Sequence, residues 1–98
     1  MIEVKRTQNR FIINGHANDT HIEKSERTTQ ACAAVTALTH TLLYGILDNQ
    51  PDAEYEFRAG WFWLKTENLD EKSLYLIDVI LNGLYALSCA YEECISID

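Results

Sequence analysis

The chain opens on two short runs that alternate or cluster apolar side chains in the manner of strands. Ile2 to Thr7 trades apolar for polar residues with period two, and after Gln8-Asn9 the run Arg10-Phe11-Ile12-Ile13-Asn14 is rich in aromatic and β-branched residues. Two strands joined by a tight turn are predicted, with Gly15 ending the second. From Asn18 to Thr29 the pattern is polar and charge-mixed, interrupted by Ile22, and predicts a surface loop. Ala31, Val35, Leu38, Leu42 and Ile46 then recur at helical spacing, so a helix follows, with Thr28 or Thr29 as its N-cap. Asp48-Asn49-Gln50-Pro51-Asp52 stops it, because proline cannot extend the ladder and holds Gln50 out of helical geometry.

The second half repeats the plan. Glu54 to Arg58 alternates, Ala59-Gly60 turns, and Trp61-Phe62-Trp63-Leu64-Lys65 alternates with apolar residues on both faces. The expectation is a second hairpin with one strand buried on both sides. Asp70 is the predicted N-cap of a last helix, in which Leu74, Ile77, Leu81 and Leu84 form a stripe widened by Leu76, Ile80 and Leu87. The order ββαββα predicts an α+β, two-layer domain spanning residues 1–98, with both helices on one four-stranded sheet. The last helix has more apolar surface than one sheet face can cover, and Tyr75, Tyr85 and Tyr91 add to it, so a homodimer is expected.

Composition narrows the function. Of 98 residues 47% are hydrophobic, enough for one core, and the formal net charge of −7 argues against direct nucleic-acid binding while suiting a basic partner. Cys32, Cys89 and Cys94 are odd in number and contain no CxxC pair, which predicts reduced thiols and neither a metal site nor a disulfide framework. No cofactor is expected. The first residues lack a signal-type apolar core, and Thr28 to Leu47 carries five threonines, so no export and no membrane span are expected.

Candidate chemistry gathers at one edge of the predicted sheet. His16 follows a strand and Cys32 lies near the start of a helix, a placement that sets an imidazole base near a thiol nucleophile. A helix N-terminus favours thiolate, and free amides near Ala31 and Cys32 could hold the oxyanion of an acyl-transfer intermediate. Spacing alone also allows the plainer reading of Cys32 as a small packing residue between Ala31 and Ala33.

Gly15-His16-Ala17, a polar loop, and Cys32-Ala33-Ala34-Val35-Thr36-Ala37-Leu38 resemble the signature of the ribosomal-processing cysteine protease (Prp) family, and the likeness runs on through Gln50-Pro51-Asp52 and Gly60-Trp61-Phe62-Trp63. The resemblance implies a bacterial, cytoplasmic, homodimeric endopeptidase that removes a short N-terminal extension from a large-subunit ribosomal protein, with His16 as general base and Cys32 as nucleophile. Phage and prophage relatives imply a capsid or scaffold precursor as the other substrate, and a catalytically silent dimeric binding module is the alternative. The chain departs from the pattern at Thr29, where the family carries aspartate, and in a longer loop without the family's glycines. Asp19 and Glu26 are the nearest carboxylates to support His16, with Thr29 beside them. Gly15, Ala17, Trp61 and Trp63 are candidate substrate contacts, His21 is the alternative base, and His40 is expected to have no role. Cys89 and Cys94 are expected as structural thiols of the last helix.

Overall fold

A computed structural model describes residues 1–17 and 24–98; the expectations for Asp19 and His21 fall outside them. Strands β1 (Ile2–Arg6) and β2 (Arg10–Asn14) form the first hairpin, followed by α1 (Glu26–Asn49). The second hairpin is β3 (Tyr55–Arg58) and β4 (Trp61–Lys65), followed by α2 (Glu71–Ala90) and a short β5 (Ile95–Ile97). The sheet has five strands in the order β3-β4-β2-β1-β5, not four. All neighbours are antiparallel except β1 and β5, which run parallel with Ile2 opposite Ile95. Ile95-Ser96-Ile97 is too short to show a period. Its strand character comes from pairing, with Ile2 N–H donating to Cys94 C=O (2.7 Å) and Asp98 N–H to Val4 C=O (2.9 Å).

One sheet face and two helices make the core. Val4, Phe11, Phe62 and Leu64 lie within the layer covered by Ala31, Leu42 and Ile46 of α1 and Ile77 and Leu84 of α2, all nearly inaccessible to solvent. The period-two alternation of the strands aims the other side chains at the open face. Trp61 and Trp63 stand there, half-buried, with Arg10 4.4 Å from the Trp63 ring centre and Arg58 5.8 Å from that of Trp61. The expectation that β4 is buried on both sides is therefore corrected. Its outer face is covered by guanidinium groups instead of a second protein layer.

Helix boundaries follow capping chemistry. The cap of α1 is Ser25, not Thr28 or Thr29: Ser25 Oγ accepts from Thr28 N–H (3.3 Å) while Thr28 Oγ1 accepts from Ser25 N–H (2.7 Å). Buried Thr28 is thus the third helical residue of a capping box. Asp70 caps α2 as expected, accepting from Ser73 N–H at 2.9 Å, and this bond above all holds its carboxyl below the ordinary value near 3.8. Asn49 donates to Asp70 (2.8 Å) and Ser73 (2.9 Å), tying the end of α1 to the start of α2.

At the opposite end Arg27 donates to Glu93 (2.6 Å) and to Ala90 C=O (2.7 Å), and Tyr91 O–H donates to Gln30 (3.0 Å). The two helices are therefore antiparallel neighbours clasped at both ends. The second helix stops at Ala90, so Cys94 lies in the following turn and not on the helix; burial pushes its thiol up. Both helices reach the length and apolarity of a membrane span, yet each lays one side on the sheet, as core helices do.

Replacing the fully buried Phe11 with alanine is expected to lower the unfolding free energy by about 3–5 kcal/mol, read from the urea midpoint. The depressed Asp70 carboxyl contributes stability above its ordinary value near 3.8 and loses it as pH falls through the lower folded value. Asp70→Asn should therefore show a shallower loss of thermal midpoint between about pH 5 and about pH 2 than the unaltered protein.

Candidate active site

Two glycines with left-handed backbones build the site. The chain leaves β2 through Gly15 (φ 95°), whose N–H donates 2.9 Å to the carbonyl of Gly60 (φ 72°) in the turn between β3 and β4. His16 is thereby laid on the hairpin turn. A methyl group at Gly60 would meet His16 Nε2 at 2.3 Å, so the imidazole rests directly against the glycine α-carbon. The next residue, Ala17, is fully buried, and its N–H donates to Cys32 Sγ at 3.4 Å. Imidazole and thiol thus come from adjoining structure.

Cys32 is half-buried and is the seventh residue of α1, because the helix begins at Glu26. The intrahelical ladder already starts at Thr29 N–H, which donates to Ser25 C=O at 3.0 Å. The amides of Ala31 and Cys32 accordingly lie within the ladder and are not the free donors expected from the sequence. The helix-terminal field is also largely spent by the second turn. The amide that does reach the sulfur is that of Ala17.

His16 and Cys32 both line a cavity of about 370 Å³ between α1 and the second hairpin. Of the four candidate substrate contacts, Gly15 and Trp61 are among the residues that line it, although the Trp61 ring stands on the open face of the sheet. Ala17 does not line it, being sealed behind the sulfur, and Trp63 stands on the open sheet face under Arg10. Glu26 is exposed at the head of α1 and accepts from Gln30 (3.4 Å); Thr29 is exposed three residues before Cys32. The cavity also takes in His40, which the sequence reading left without a role, together with Thr36, Phe57 and Phe62. The signal was the spacing of Cys32, Thr36 and His40, four residues apart along one helix face.

Gly60→Ala is expected to force the imidazole off its seat and to strain a left-handed turn, at a cost of about 1–3 kcal/mol. The ring proton and carbon signals of His16 should shift in the NMR spectrum while those of His40 stay in place. Unchanged His16 signals would contradict the packing described.

The sequence profile of the cysteine protease Prp family matches residues 1–96. Among solved structures, the Staphylococcus aureus ribosomal processing protease Prp in complex with a substrate peptide superposes with TM-score 0.78 at 13% identity, covering 99% of this chain and 95% of that one. The same enzyme with a covalently linked product peptide gives TM-score 0.74 at 14% identity with the same coverage. A Streptococcus mutans protein gives 0.73 at 18% identity, over 99% of this chain and 90% of the other. No curated protein matches the chain. At these identities the structural likeness is one of fold, and it is the profile match over nearly the whole sequence that decides the family: the chain belongs to the Prp cysteine proteases.

Proposed function

We propose that the chain is a cysteine endopeptidase in which Cys32 is the nucleophile and His16 the general base. The observation that carries the reading is the Ala17 N–H donated to Cys32 Sγ, with His16, the residue before it, on the wall of the same cavity. His16 takes the thiol proton, sulfur attacks the scissile carbonyl carbon, and the proton passes to the leaving amine as the peptide bond breaks. Water activated by the same imidazole then releases the acyl group and regenerates the thiol. The Ala31 and Cys32 amides are engaged in the helix, and the Ala17 amide is taken by the sulfur.

The substrate is a polypeptide, and the net charge of −7 suits a basic ribosomal-protein precursor that loses a short N-terminal extension in the bacterial cytoplasm. The charge-mixed loop between His16 and Cys32 favours a second substrate, a phage capsid or scaffold precursor, while Thr29 in place of aspartate fits the silent binding module. Exposed Tyr44, Tyr75, Val79 and Tyr85 on the helices support a homodimer.

The test is the pH profile of iodoacetamide alkylation at Cys32, resolved by peptide mapping from exposed Cys89, in the unaltered protein and in His16→Ala. Rapid labelling whose profile changes when His16 is removed is expected. Cys32→Ala should abolish cleavage of whichever precursor is cut. Slow labelling indifferent to His16 would mark a catalytically silent binding module.

A further inference from the structure

The peptide unit that joins His16 to Ala17 has a partner on each side. Its N–H donates to Cys32 Sγ at 3.4 Å, and its carbonyl accepts from the Met1 main-chain nitrogen at 2.6 Å. A trans peptide is planar, with N–H and C=O directed oppositely, so whatever fixes the carbonyl also fixes the direction of the N–H. Met1, the His16–Ala17 plane and the sulfur therefore form one chain of hydrogen bonds.

Met1 owes its place to the sheet. The β1–β2 register sets Glu3 opposite Asn14, and carrying it back along β1 sets Met1 opposite His16. Ile2, between them, is anchored twice. Its side chain is buried on the cavity wall, and its N–H donates to Cys94 C=O just before β5 (2.7 Å). On the other flank of β2, Gly15 N–H is held by Gly60 C=O. The segment bearing His16 is thus gripped from both neighbouring strands, and the grip on the β1 side falls on the peptide that reaches sulfur.

We propose that the Met1 main-chain nitrogen is a positioning group for Cys32, acting through the His16–Ala17 peptide. The inference rests on the peptidase reading of the same site. A donor on the carbonyl oxygen polarises the amide and strengthens the hydrogen bond that its N–H gives, as in any chain of linked amides. That N–H holds the sulfur beside the His16 segment, and it interacts more strongly with a sulfur that carries charge than with a neutral thiol. Any N–H at this position serves, since an amide donates as an amine does, and the Met1 side chain has no part in the relay. Without the donor the peptide plane is free to turn about its flanking bonds, and the N–H leaves the sulfur.

The test uses the whole chain carrying a Gly-Ser-Gly extension ahead of Met1, in which the Met1 nitrogen is an amide, together with Met1→Ala and Met1→Pro in that same chain. Proline removes the N–H, keeps the carbonyl and is tolerated at the start of a strand. Met1→Pro should slow iodoacetamide labelling of Cys32 about threefold to tenfold while exposed Cys89 labels as before, and Met1→Ala should label at the unaltered rate. In the NMR spectrum the Ala17 amide proton and the His16 carbonyl carbon should both move upfield in Met1→Pro and stay in place in Met1→Ala. Equal labelling in all the chains, or an equal loss in Met1→Ala and Met1→Pro, would overturn the proposal. A scalar coupling across the hydrogen bond, from the Met1 nitrogen to the His16 carbonyl carbon, needs no substitution, so its absence overturns the proposal even where Met1→Pro does not fold. In cleavage assays Met1→Pro should lower kcat by the same factor with KM unchanged. If none of the chains cuts a peptide, the peptidase reading fails, and the labelling and the coupling still decide the relay.

Discussion

Where the chain leaves the sheet after β2, a single backbone hydrogen bond from Gly15 to Gly60 decides what the following residues can reach. It extends the β2–β4 ladder one step past the Asn14 and Trp61 pair and brings two left-handed glycines face to face. Any side chain at Gly60 would occupy the volume of the His16 ring, so the imidazole has its place only because a hydrogen atom stands where a methyl group would be. One residue further on, Ala17 is buried and aims its amide at sulfur. Backbone geometry thus brings His16 and Cys32 to one cavity.

The depth of Cys32 in its helix depends on the far end of the molecule. Arg27 bridges to the turn after α2 through Glu93 and a main-chain carbonyl, while its guanidinium lies 4.9 Å from the Tyr91 ring centre. An exposed ion pair alone contributes little. Combined with a carbonyl acceptor and an aromatic face, the same side chain fixes the head of α1 against α2. Asn49 does the corresponding work at the other end. The helix that carries the thiol is therefore held at both termini by polar contacts, leaving its middle turns free to line a cleft.

Elements with many periods were legible in the sequence, and those decided by a few hydrogen bonds were not. The strands around Phe11 and Phe62 and the Asp70 cap follow from alternation and from a side-chain oxygen placed before an apolar stripe. The β5 strand escaped because three residues carry too little pattern, and its partner β1 lies at the opposite end of the chain. The start of α1 was misplaced because Thr28 and Thr29 are good caps in isolation, while the reciprocal bonds of Ser25 and Thr28 put the cap further back. That shift of register placed the Ala31 and Cys32 amides inside the ladder. His16 and Cys32 were legible as a pair of residue types; His40 was hidden because a mid-helix histidine looks alike on any face until a neighbouring hairpin supplies Phe57.

The parallel pairing of β5 with β1 has a consequence for how the molecule comes into being. Chains emerge from the ribosome amino end first, and the edge of β1 stays bare until Ile95, Ser96 and Ile97 arrive to cover it. The first hairpin and the segment bearing His16 must wait, with an unpaired strand edge, through the synthesis of both helices. Contacts of such sequence separation close slowly, because the loop entropy is lost before the pairing returns it. A nascent chain of this design assembles its complete sheet only once β5 is added, and a product cut before β5 is left with an open edge ready to join another strand.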